Sequence, residues 1–164
     1  MQEYEYANHD ELAQRYRSGA NWFYWIAGLT LVTSIISYTG GEWRFLISLG
    51  TTQVIDALAA SEELGGAPLV VALVLDVILA AVFVVFGVLA NKKFLWAYIL
   101  GMAIFVLDGL VSLLVQDLIG VVAHVVVLIF MVPGFMAGRK LVELEEMMAQ
   151  SQAQQAQAGA TTSV

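Results

Sequence analysis

Three apolar runs lie almost end to end between Pro68 and Gly138, broken only at Asn91-Lys92-Lys93 and at Gln116-Asp117. Each run is about as long as the roughly 20 residues a helix needs to cross a hydrocarbon core of about 30 Å. In that medium a backbone has no water to bond, so a run of this kind must close its hydrogen bonds within itself as a helix. The runs are also not purely apolar. Asp76, Asp108 and His124 sit one in each, where ionisable groups are expensive to keep.

The wider composition agrees with a membrane setting: 60% of the residues are hydrophobic and 13% charged, about half the charged share of a soluble domain. Mean hydropathy is +0.79. The reading is an all-α integral membrane protein, a bundle of four transmembrane helices over about 22–38, 68–90, 94–115 and 118–138. Trp22, Tyr24 and Trp25 at one end of the first span, and Tyr38 and Trp43 at the other, suit the two aromatic belts of a bilayer. Because polar residues precede this span and no convincing small-residue cleavage site follows it, it is expected to be a retained anchor rather than a signal peptide.

Residues 1–21 read as a cytosolic arm. Asn8 and Glu11 have the spacing of a capping box, and Leu12 and Tyr16 would lay a short helix on the membrane surface. His9 is expected to be solvated. Between Glu42 and Glu63, Arg44, Ser48, Thr52 and Asp56 recur every four residues opposite Trp43, Ile47, Gly50, Val54 and Leu58. That pattern fits an amphipathic or re-entrant helix on the outer side better than a fifth span. Residues 141–164 are expected to hold a helical stub and then, from Ser151, a Gln/Ala-rich tail without the apolar surface to fold.

Basic residues orient the bundle. With four spans, Arg15, Arg17, Lys92, Lys93, Arg139 and Lys140 fall on one side and only Arg44 on the other. The positive-inside bias then puts both termini in the cytoplasm, most simply at the plasma or inner membrane. A fifth span at 42–63 would send four of the six outward.

With that topology the three ionisable groups share one level in the outer half of the bundle. Asp108, Ser112 and Gln116 follow one another at four-residue spacing on one face, and Gly120 and His124 do so on the next helix. The candidate site is therefore Asp76, Asp108 and His124, joined by Ser112, Gln116 and, in a re-entrant geometry, Asp56. Such a pocket suits a cation: a proton, or a divalent metal such as zinc or manganese held by Asp76, Asp108 and His124. Asp117 is expected to cap the fourth helix instead. Two other readings stand beside cation binding or transport. One is a scaffold or assembly subunit whose polar cluster only orders the bundle; the other is a metal-dependent membrane hydrolase.

Several classes are excluded. The net charge of −7 and the lack of any basic run argue against nucleic acid. The absence of cysteine removes disulfides, thiolate metal sites and thiol catalysis. The expected partners are the lipid bilayer and a second copy of the chain, since four helices leave one chain little room for a conduit.

Overall fold

The computed structural model describes residues 2–38 and 67–162, and four helices make up nearly all of them: α1 (Gln2–Tyr38), α2 (Ala67–Asn91), α3 (Leu95–Leu114) and α4 (Leu118–Thr162). No strand occurs among the described residues. The segment Glu42–Glu63, with Arg44 and Asp56, lies outside them. Each helix packs on its neighbours in the chain, and α4 closes the ring on α1. Neighbours run antiparallel. Along α1, Tyr16 bonds the carbonyl of Ala90 while Ser34 meets Asp76, so α2 descends as α1 rises. His9 meets Glu145 and Trp22 stacks on Phe130, so α4 descends too.

The buried residues explain why these helices form a bundle. On α1 the inward positions include Tyr16, Phe23 and Thr30, and beside them Ala20, Ala27 and Ser34. On α2 they include Asp76, Phe83 and Ala90; on α3 Tyr98, Phe105 and Ser112; on α4 His124, Met131 and Gly138. Every set recurs at seven residues. A seven-residue seam is the pattern that keeps helices in contact along a left-handed supercoil, as in four-helix bundles. The opposite faces carry Val, Leu and Ile in the open, among them Val71, Ile78, Leu107, Leu110, Val122 and Ile129. A soluble monomer does not expose apolar surface on this scale, and lipid is the solvent that suits it. All four helices are long and apolar enough to cross a membrane.

The hairpin turns are built alike. At the end of α2 the amide of Phe94 bonds the carbonyl of Leu89, and that of Lys93 bonds Ala90. At the end of α3 the amide of Asp117 bonds Ser112, and that of Gln116 bonds Leu113. Both are Schellman caps, which need a left-handed residue after the helix. Lys93 at φ 66° and Gln116 at φ 61° fill that place where glycine is usual.

Helix limits depart from the sequence reading at the two ends of the chain. The short surface helix and the first span are one continuous helix, because Leu12 and Tyr16 pack against the bundle rather than against lipid. The small residues between them serve another purpose: a Cβ on Gly134 would lie 2.6 Å from the Cα of Gly19, so the two glycines let α1 and α4 touch backbone to backbone. At the far end, α4 runs through Pro133 and on to Thr162. The stretch from Ser151, expected to be unfolded, lacks apolar surface, and residues 151–158 are indeed exposed. Alanine and glutamine nonetheless favour helix, and no proline interrupts it there.

Candidate functional site

The bundle has two unlike ends. The Lys92–Lys93 turn shares one end with Arg15, Arg17, Arg139 and Lys140. There Glu145 accepts hydrogen bonds from Lys93 and, at 3.1 Å, from His9. The bond from Lys93 holds the Glu145 carboxyl below its usual range against the opposing effect of burial, and His9 adds in the same direction. Sequence reasoning gave His9 no partner; Glu145 is 136 positions away and only the α1–α4 packing brings it close.

The ionisable residues of the apolar runs lie toward the other end. Asp76 and Asp108 stand at nearly equal distances from the α2–α3 turn, roughly 23–24 Å along their helices. Asp108 and His124 are each eight residues from Gln116 in the next turn. Heptad packing turns all three inward, and they are buried with 4%, 5% and 6% of their surface exposed.

Asp108 and His124 are partners. Nε2 of His124 lies 2.9 Å from Asp108 Oδ2, and Nδ1 lies 2.7 Å from the carbonyl oxygen of Gly120. A carbonyl only accepts, so Nδ1 carries hydrogen and Nε2 is the nitrogen that faces the acid. The ring stacks on Phe105 at 4.4 Å. Gly109 gives it space, for a Cβ there would come within 3.1 Å of the imidazole. Asp76 is joined to α1: Ser34 Oγ lies 2.5 Å from its Oδ2 and 2.8 Å from the carbonyl of Thr30. One hydroxyl hydrogen cannot serve both acceptors, and a proton on Asp76 would satisfy the two contacts together. Two nearby hydroxyls of α1, those of Thr30 and Thr33, bond backbone carbonyls within the helix.

The other candidates divide. Ser112 is buried and its hydroxyl donates to the Asp108 carbonyl at 3.3 Å. Gln116 is exposed and forms the left-handed position of the turn. Asp117 accepts from the amide of Gly120 at 3.0 Å, the cap expected for α4. Asp56 lies outside the described residues. Among the described residues, no three His, Cys, Asp or Glu side chains come together as a metal-holding group. Asp108 also lines a cleft of about 150 Å³ between α2 and α3, walled by Leu79, Phe83, Ile104, Leu107 and Val111.

Sequence reasoning missed the stacking partner Phe105 and the role of Ser34 as the contact of Asp76. The first had its signal in the three-residue step from Phe105 to Asp108, which places both on one helix face. No family model, no curated protein and no solved structure matches the chain.

Proposed function

We propose that this is an integral membrane protein whose Asp108–His124 pair binds one exchangeable proton as part of a proton-linked transport component. The observation that carries the reading is the orientation of the imidazole. With Nδ1–H committed to Gly120, the contact between Nε2 and Asp108 needs one hydrogen between them. Removing it sets a carboxylate against a nitrogen lone pair; adding a second sets two donors face to face. The pair is therefore matched to a single proton, and with that proton it carries no net charge. Neutrality is the state that hydrocarbon depth favours.

The same geometry favours a proton over zinc. Both imidazole nitrogens already have partners, so a metal would have to displace Asp108 or Gly120 before binding. Aromatic side chains fill the core toward the basic end, which supports a component that works with a second copy or another membrane protein rather than as a complete conduit. The positive-inside rule places the six basic residues in the cytoplasm with both termini, and the Asp–His pair in the outer half.

A second reading is that the polar pairs set register only. Asp76, Asp108 and His124 all occupy seam positions, where a buried polar residue fixes the alignment of helices. Reconstitution into liposomes under a pH gradient separates the two. Proton uptake that is lost in Asp108→Asn, with the variant still folded, supports the proton reading. No uptake by oriented wild-type protein means the pairs are structural. For topology, Lys93→Cys and Gln116→Cys should label from opposite sides of the membrane, and labelling from one side overturns the arrangement.

A further inference from the structure

We propose that a cleft at the basic end of the bundle binds the phosphate of an anionic phospholipid headgroup. The cleft, of about 370 Å³, lies where α1, the α2–α3 turn and α4 meet, and Arg17, Gln14, Lys93, His9 and Asp10 are among its lining residues. Its position suits a headgroup. Arg17 is five residues before Trp22, so about 7.5 Å beyond the start of the apolar part of α1. The headgroup layer on each side of a bilayer is itself roughly 5–8 Å deep. Arg17 thus stands in that layer, while His9 and Asp10 reach past it toward water.

The donors also suit it. Gln14 and Arg17 are three residues apart on one face of α1, which points an amide and a guanidinium the same way. Among the described residues neither has a protein partner. Lys93 donates one ammonium hydrogen to Glu145, which fixes its place and leaves the other two for a ligand. A planar guanidinium and a positioned ammonium lining one cleft are donors that suit phosphate oxygens. Basic clusters at a membrane surface recruit anionic headgroups on the same electrostatic ground. Asn91, although it lines the cleft, gives its amide hydrogens to Asn21 and Gly87 and is not counted as a donor. The site presupposes that the helices cross a bilayer but is independent of the proton pair.

The test uses the full chain in detergent, with phosphatidylglycerol added in steps and bound lipid counted by native mass spectrometry beside thermal unfolding. Wild type should bind phosphatidylglycerol saturably and be stabilised by it. Arg17→Gln should weaken that binding about tenfold, the loss of one charge-assisted contact. Arg139→Gln removes the same charge from the same end of the bundle but outside the cleft, and should leave binding unchanged. Asp108→Asn should also leave it unchanged, so failure of the proton reading is distinguishable from failure here. Equal weakening by the two arginine variants would reduce the effect to general surface charge and overturn the site. Inorganic phosphate that competes at the same concentration would mark a free-anion site and overturn the lipid.

Discussion

Asp108→Asn is the substitution that most directly separates a proton-binding pair from a structural one. The amide of asparagine donates to Nε2 of His124 as a protonated carboxyl would, in the same space, but has no proton to release. The wild-type contact is one hydrogen bond of 2.9 Å between side chains 6% and 7% exposed. In water, breaking a buried ion pair costs about 3–5 kcal/mol, because one charge is stranded. Between membrane helices, double-mutant cycles give an average of about 0.6 and at most about 1.7 kcal/mol for polar contacts. A pair that shares one proton and bears no net charge belongs to the second class. The coupling between Asp108→Ala and His124→Ala should therefore be about 0.6–1.7 kcal/mol, and Asp108→Asn alone should lose less than about 1 kcal/mol.

The assay is reversible unfolding of the four proteins of the cycle, with Asp108→Asn as a fifth, in mixed micelles. Equal denaturant slopes are required before the free energies are compared. Coupling below about 0.3 kcal/mol is additivity and would mean that the contact contributes nothing. A coupling of about 3–5 kcal/mol would point instead to a separated ion pair. If Asp108→Asn is as unstable as Asp108→Ala, the neutral-donor argument fails, and the shared-proton function fails with it.

Four further outcomes follow from the structure. Gly134→Ala should destabilise by about 1–3 kcal/mol, because the new methyl meets the backbone of α1, which cannot move aside as a side chain would. Gly28→Ala, with nothing within 4 Å of its Cβ, should instead stabilise by about 0.5–1 kcal/mol; the same sign for both in thermal unfolding would refute the close approach. Gln116→Gly should stabilise by about 1 kcal/mol by relieving the left-handed backbone at φ 61°, read as a raised denaturant midpoint at constant slope. The Glu145 clasp depends on pH with a definite sign. A carboxyl lowered in the folded state contributes stability above its unfolded pKa and loses it as pH falls through the folded value. Proteolysis of the α1 arm should therefore rise on the acid side of the usual carboxylate range, and Glu145→Gln should abolish that dependence.

The four helices were legible because each apolar run has the length that a membrane-crossing helix needs. The misjudged limits lie where lipid does not set them. Between the expected surface helix and the first span, Gly19 serves close packing and the helix continues through it, and after Ser151 the lack of apolar residues does not prevent a helix. The inward turn of Asp108 and Ser112 was readable from four-residue spacing. The same spacing failed at Gln116, since the helical period stops where the turn begins. Pairings across helices were the least legible part. Nothing in the local pattern links Asp76 to Ser34 or His9 to Glu145, because those contacts depend on which helices become neighbours and in what register.

The bundle's asymmetry bears on how a proton could reach Asp108. Toward the basic end, Tyr16, Tyr98, Phe23, Phe83 and Phe86 pack ring against ring, with centroids 5.4–6.5 Å apart. Tyr16 and Tyr98 also tie their hydroxyls to the carbonyls of Ala90 and Met131. Those hydroxyls have fixed acceptors on neighbouring helices, and Gly19 and Gly134 meet backbone to backbone beside Tyr98. A water file through that half would have to separate both. Toward the other end the seam instead carries the polar side chains of Thr30, Ser34, Asp76, Asp108, Ser112 and His124. Protons should therefore exchange with Asp108 from the Gln116 side. In oriented vesicles, the rate of exchange should follow the pH on that side alone, and equal sensitivity to both sides would show that the aromatic half is no seal.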